Sequence, residues 1–266
     1  VSRRLGALEE ALDATLFDRG REGLTPTRSA EELLVAAEQT EAAVASFANL
    51  ADGLERDVSG VVRIACPPDM ADVALLPVLR ALQADHPQLR FVISPGEAMV
   101  DLVRREADLA VRTVRPTRGD LLARRILTIH SVPCASPDLA ARFSPMDDLT
   151  AVPWINWGPR FARMPVSQWI ERYGGEPVLR TDSLTTQIAA AREGLGVALV
   201  PSPSVEHYGL VPLPFADPDG EACRKCPSSE LYLVTHRTLR TVPRVKVVWE
   251  AVLTSMQSRF AGVSER

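Results

Sequence analysis

Leu5, Leu8, Leu12 and Leu16 recur at helical spacing while Arg3, Arg4, Glu9, Glu10 and Asp13 fill the other faces, which predicts an amphipathic helix at the start of the chain. Phe17 follows as an anchor, and Arg19-Gly20-Arg21-Glu22-Gly23 predicts a short charged hairpin ahead of Leu24 and the turn residues Thr25-Pro26. Thr27 is placed to N-cap the next helix, with Glu31 and Glu32 near its positive end, and neither Gly nor Pro interrupts the chain from there to Asp52. Leu33, Ala37, Thr40, Val44, Phe47, Ala51 and Leu54 alternate steps of four and three, a heptad seam that asks for a partner helix. Packing of this helix on its own domain is the other outcome such spacing allows.

Gly53 and Ser59-Gly60 punctuate the chain, and Val61 to Ala65 then reads as a buried strand that opens a new domain. Asp69 is placed to cap a helix carrying Leu75, Leu76, Leu79 and Leu82; a turn at His86-Pro87 leads to the strand Leu89 to Ile93, completing a βαβ unit. A helix with Val100, Leu102 and Val103 leads to the strand Leu109 to Arg112. The alternation resumes with strands Ile129 to Cys134 and Trp154 to Asn156, a helix around Val166 to Tyr173, and the strand Pro177 to Thr181. Thr185 to Glu193 reads as a helix with Gly194 as its C-cap, and Gly196 enters the strand Val197 to Val200, which Pro201 stops. Leu231 to Val234 is a further strand, and a terminal helix carries Val245, Val248, Trp249, Val252 and Leu253.

Composition narrows this to an ordinary globular α/β protein: 266 residues, 46% hydrophobic and 24% charged, with both signs mixed, suit two or three compact units. A net charge of −4 argues against a protein that coats nucleic acid over its whole surface and leaves room for a small local DNA reader. Residues 1–28 balance five Arg (3, 4, 19, 21, 28) against five acids (9, 10, 13, 18, 22), so composition alone gives a solvated amphipathic helix there. No apolar run approaches the roughly 18 to 20 residues of a membrane span, and Val1 to Leu5 form no signal-peptide pattern, so no membrane partner and a cytoplasmic location are expected.

Four cysteines in a chain this long predict reduced thiols. Cys223-Arg224-Lys225-Cys226 has the spacing of half a zinc site or a redox pair, with neighbouring cations that would lower a thiol pKa. No second pair and no spaced histidines accompany it, so it reads as a surface loop and no metal is expected. Gly-x-Ser-x-Gly, P-loop and His-Glu-x-x-His patterns are absent, which predicts neither catalysis nor a cofactor.

In order and spacing, Val1-Ser2-Arg3-Arg4-Leu5, Leu8-Glu9, Leu16-Phe17-Asp18-Arg19 and Thr27 resemble the recognition helix, wing and linker-helix cap of LysR-type transcriptional regulators. Gly60-x-x-Arg63-Ile64, Leu76-Pro77, His86-Pro87, Ala107-Asp108-Leu109-Ala110-Val111 and Gly194-Leu195-Gly196-Val197-Ala198-Leu199-Val200-Pro201 extend the similarity over essentially the whole chain. The resemblance implies a partial winged helix-turn-helix over residues 1–26, a dimerising linker helix over 27–58, and a two-lobed domain like periplasmic binding proteins over 59–266. Lobe I is expected at about 59–131 and 235–266, and lobe II at about 132–234. The family places further helices before the point where this chain starts, so residues 1–24 are expected to be poorly supported.

The same resemblance implies double-stranded promoter DNA, a small-molecule effector and a homodimer or homotetramer as partners. Ser2, Arg3 and Arg4 would meet the major groove, Arg19 and Arg21 the phosphates or minor groove, with Thr27 beside them. Leu33, Ala37, Val44, Phe47 and Leu54 would form the dimer seam. Effector positions follow at strand C-terminal ends: Cys66, Pro68, Asp69 and Met70; Asn156 and Trp157; Thr181, Asp182 and Ser183. Many relatives carry Ser or Thr in the first loop, which suits a carboxylate; Cys66-Pro67-Pro68-Asp69 departs from that. Asp69 and Asp182 suit helix caps as well as ligand contacts, and Trp157 suits the core as well as a stacking platform. The rival reading is a solute-binding module without DNA binding, and an enzyme comes third.

Overall fold

The computed structural model describes residues 2–20, 23–34, 36–37, 40, 44, 58–96, 107–116 and 120–260. The amphipathic stretch forms α1 (Ser2–Leu12), which ends where Asp13 adopts a left-handed conformation with φ of 49°. Two strands, β1 (Phe17–Gly20) and β2 (Gly23–Pro26), pair antiparallel from Phe17 with Pro26 to Gly20 with Gly23, making the expected wing. The Glu9 side chain braces this corner, accepting from the backbone N–H of Leu16 at 2.7 Å and of Phe17 at 3.1 Å. The helix α2 begins at residue 28 and is helical at 28–34, 36, 37, 40 and 44. Its cap is the one the sequence predicts, with the Thr27 hydroxyl accepting from Ala30 N–H at 3.3 Å while donating back to the Thr15 carbonyl at 2.8 Å.

The leucine stripe of α1 is unevenly covered: Leu16 is buried and Leu5 half-buried, but Leu8 and Leu12 stand about half exposed at 47% and 46%. Among the seam positions, Leu33, Ala37, Thr40 and Val44 are all exposed, while Phe47, Ala51 and Leu54 lie outside the described residues, as does the expected helix with Val100, Leu102 and Val103.

Beyond residue 58 a mixed sheet runs through both lobes. Its strands are β3 (Gly60–Cys66), β4 (Leu89–Pro95), β5 (Leu109–Arg112), β6 (Leu121–Ala135), β7 (Trp154–Trp157), β8 (Leu179–Thr181), β9 (Val197–Pro201), β10 (Val211–Pro212) and β11 (Ser228–His236). The order is β4-β3-β5-β11-β6-β9-β7-β8, with β10 also on β6. The 15-residue β6 joins the halves. Its residues 121–130 pair with β11 and its residues 131–134 with β9.

This pairing moves one expected boundary. Because β11 is hydrogen-bonded to β5 and to the first part of β6, Ser228–His236 lies in the first lobe, and the chain returns there near residue 228 rather than 235. A β6 longer than the expected Ile129 to Cys134 has the same cause: a strand shared by two lobes must span both.

Helices cover the faces. After β3 come α3 (Pro68–Met70), a π-helical turn over Ala71–Leu75 and α4 (Leu76–Asp85), which pack with the terminal α10 (Pro243–Arg259) on a core of Ile64, Leu75, Leu79, Leu109, Leu231, Val245 and Trp249. In the second lobe lie α5 (Pro137–Phe143), α6 (Pro165–Tyr173), α7 (Leu184–Arg192), α8 (Ser202–His207) and the short α9 (Glu221–Arg224).

Strand alternation splits this lobe's core. Ile155 and Trp157 pack with Leu184, Ile188 and Val205 on one face, whereas Trp154 packs with Trp169, Ile170 and Leu213 on the other. Gly194 ends α7 with φ of 76°, and Leu195 N–H reaches back to the Ala190 carbonyl at 3.0 Å, the C-cap expected there.

Candidate functional site

The two lobes meet at a small cleft of about 160 Å³ that opens to solvent. It lies where β3 and β7 end, the position at which open α/β sheets take ligands. Met70 and Leu231 come from the first lobe, Trp157 and Leu184 from the second, and Ile129 and Ser131 from β6 between them. Trp157 is 4% exposed and is held edge-on by Phe161, with ring centroids 5.1 Å apart. Its indole is therefore packed in the core and also forms part of the cleft wall.

The polar lining is sparse: Asp69, Thr113, Ser131 and Ser229. Asp69 is 3% exposed. Its carboxylate accepts from the Ser204 hydroxyl of α8 at 2.8 Å, so it links the lobes. Burial raises its pKa; the Ser204 hydroxyl and the N–H groups of Met70 and Asp69 itself pull the other way, and Asp72 adds to the rise. A parallel bond runs from the Tyr208 hydroxyl to Asp72 at 2.9 Å, and burial together with that carboxylate pushes the phenol's pKa up.

The expected effector positions separate into two groups. Asp69, Met70 and Trp157 line the cleft, and Pro67 and Leu184 flank them. Cys66, Pro68, Asn156, Thr181, Asp182 and Ser183 do not line it. Asn156 shares the β7 face of Trp154, so its side chain turns to α6, donating to Glu171 at 2.8 Å, while its own oxygen accepts from Trp157 N–H. Glu171 in turn holds Arg180 at 2.6 Å, and this pairing keeps the glutamate below its usual pKa.

Ser183 caps α7 by accepting from Thr186 N–H at 3.2 Å, leaving Asp182 uncommitted as a cap and packed against Gly158. Asp69 is likewise no cap. The N-cap position is Pro67, and the aspartate sits inside the first turn. Cys66 is buried among apolar side chains, and burial, with Asp69 and Asp72 nearby, pushes its thiol up to about 12.

Thr113, Ser131, Ser229, Leu199 and Pro201 are lining residues that sequence reasoning did not name. Period-2 alternation gave no hint of Ser131 and Ser229, because their place follows from the shared β6 and the β6–β11 register, where Ser229 pairs with Ile129.

Cys223 and Cys226 are half-buried on and after α9, not in an open loop. The Cys226 thiol donates to the Ser131 carbonyl at 3.2 Å, and burial, with Cys223 beside it, pushes it up to about 12, the opposite of the lowering expected from neighbouring cations. Lys225 is taken up by Glu221 at 2.8 Å. No group of three or more metal-ligating side chains occurs among the described residues.

At the other end, Ser2 and Arg3 begin α1, Arg4 is exposed on it, and Arg19 lies in β1. Arg21 lies outside the described residues. Thr27 is committed to its capping and backbone bonds, and Arg28 pairs with Glu32 at 2.9 Å on the surface of α2.

Two α/β lobes joined by a shared strand and closing on an apolar cleft define a ligand-binding protein of the periplasmic-binding type. Residues 55–257 match the family described as LysR substrate binding domain. The chain is 29% identical over 225 residues to the HTH-type transcriptional regulator YhjC of Escherichia coli K12, covering 76% of this chain and 70% of that one. With the HTH-type transcriptional activator AmpR of Rhodobacter capsulatus it shares 30% over 216 residues, 78% of this chain and 72% of that one.

Among solved structures it is similar to full-length AphB, the Vibrio cholerae virulence activator, at 20% identity and a TM-score of 0.58, covering 95% and 88% of the two chains. A full-length variant of OxyR from Pseudomonas aeruginosa gives 15% and 0.64, covering 94% and 84%. The chain belongs to the LysR family of transcriptional regulators and carries that family's substrate-binding domain.

Proposed function

We propose that a small effector bound in the cleft between the lobes controls how the winged segment meets promoter DNA. The observation that carries this reading is the cleft itself: one wall from each lobe, both hung on β6, so that occupancy changes the relation between them. Asp69, Met70, Trp157 and Leu184 are its principal contacts, with the hydroxyls of Thr113, Ser131 and Ser229 orienting the ligand.

Ser2, Arg3 and Arg4 read or approach the major groove, and Arg19 and Arg21 contact the sugar-phosphate edge. Residues 1–26, 27–58 and 59–266 act as DNA-reading, linking and effector-binding parts. The linker helices pair through Leu33, Ala37, Val44, Phe47 and Leu54 into a homodimer or homotetramer. The cytoplasm is the compartment where such a protein meets DNA, and among the described residues no helix is long and apolar enough to cross a membrane. The AmpR relatives are named activators.

The test is fluorescence anisotropy with labelled duplex from upstream of the gene, for this chain and for an in-frame form extended upstream, across a salt series with competitor DNA. Specific binding about 10³-fold or more above competitor, weakening as salt rises, is expected of at least one of the two forms. Equal affinity for specific and competitor DNA in both forms would overturn the reading in favour of a plain solute binder.

A further inference from the structure

We propose that the effector is a compact apolar molecule whose polar end donates hydrogen bonds, an amine or a hydroxyl, and which bears no carboxylate or phosphate. This rests on the reading of the cleft as the effector site and names the chemistry that site accepts.

Most of the wall is apolar: Met70, Ile129, Trp157, Met164, Val166 and Leu184. Among the described lining residues Asp69 is the one charged side chain, and no Lys, Arg or His joins it. Arg112 precedes Thr113 but is not among the lining residues.

The turn after β3, where a helix beginning could present N–H donors to an anion, is disarmed in two ways. Pro67 and Pro68 occupy the N-cap and first position and have no N–H to offer. The Met70 N–H that follows is taken up by the Pro67 carbonyl at 3.1 Å. A ligand carboxylate there would sit beside the Asp69 carboxyl with no cation among the described lining residues to offset it.

What the carboxylate still offers is acceptance. An ionised carboxyl has about four lone-pair sites. One donor reaches it, the Ser204 hydroxyl at 2.8 Å. Its remaining acceptor capacity borders a wall that otherwise rewards apolar area, and the hydroxyls of Thr113, Ser131 and Ser229 can satisfy a second polar atom.

The experiment is calorimetric titration of the full chain with three probes that share one ring and one linker: phenethylamine, 2-phenylethanol and phenylacetate. Asp69→Asn and Leu184→Trp accompany the unchanged protein, each checked for folding by circular dichroism; the second fills the cleft. Phenethylamine and 2-phenylethanol are expected to bind the unchanged protein at least about tenfold more tightly than phenylacetate, and Leu184→Trp to abolish all binding. Asp69→Asn is expected to narrow or reverse the preference.

Phenylacetate binding as tightly as the amine, lost in Leu184→Trp, overturns the proposed chemistry and leaves the cleft as the effector site. Binding that survives Leu184→Trp instead removes the cleft reading on which the proposal rests. Failure of all three probes to bind the unchanged protein also overturns the proposal, and because that comparison needs no variant, a misfolded substitution does not blunt it.

Discussion

The Asp69 carboxylate, in the first turn after β3, accepts a 2.8 Å hydrogen bond from the Ser204 hydroxyl on α8, so a buried charge of one lobe is satisfied by the other. Ser204 is itself fully buried, and its removal leaves the aspartate one hydrogen-bond donor short. Ser204→Ala is expected to destabilise the protein by about 1–3 kcal/mol in urea unfolding, against roughly half a kcal/mol for a surface serine.

The same aspartate sets a pH dependence. Its folded pKa is raised above the ordinary 3.8, so its favourable contribution is complete below 3.8 and is lost as pH rises through the folded value. Asp69→Asn is expected to remove that fall, and stability curves measured from acid to neutral pH, wild type minus variant, check it. Glu171 gives the opposite sign. Its folded pKa lies below 4.5 because Arg180 and Asn156 hold the ionised form, so its contribution is present above 4.5 and lost as pH falls. Both partners are partly exposed, so Glu171→Gln is expected to cost under about 1 kcal/mol at neutral pH and nothing in strong acid.

Backbone geometry limits Gly194 and Gly196 differently. Gly194 has φ of 76°, so Gly194→Ala is expected to cost about 1–2 kcal/mol in the left-handed conformation. A Cβ on Gly196 would fall on the Pro153 carbonyl and within 3.0 Å of Ile155 Cγ1, so Gly196→Ala should be the more harmful of the two in thermal unfolding.

Thiol accessibility separates the cysteines. Cys66 and Cys134 are buried with their thiols pushed up to about 12, and Cys226 is likewise raised and bound to Ser131. Titration with an aromatic disulfide reagent at pH 8 is expected to label Cys223 first, with all four cysteines reacting only after unfolding. Peptide mapping identifies the labelled residue.

Much of the architecture was legible because local signals agreed with their surroundings. Thr27 caps α2 and Gly194 closes α7 as their residue types predict, and the antiparallel wing follows from its glycines. The site was legible only in part. The loops after β3 and β7 do line the cleft, through Asp69, Met70 and Trp157, whereas Thr181 to Ser183 do not, and choosing residues within a loop needed the pleat: Asn156, one residue before Trp157, faces away. Ser204 and Asp69 are 135 positions apart, and nothing local to either announces the other. Ser131 and Ser229 depend on β6 serving both lobes, a property of the sheet and not of either segment.

Occupancy of the cleft is expected to change DNA binding. This is tested by the anisotropy of labelled upstream duplex, bound by the complete gene product, before and after addition of a small-molecule extract of the cells that make it. The comparison protein is Leu184→Trp, whose cleft is filled. The extract should shift the affinity of the unchanged protein, while the variant binds the same DNA without responding. An equal shift in both proteins would contradict control through the cleft, because the responding site would then lie outside it.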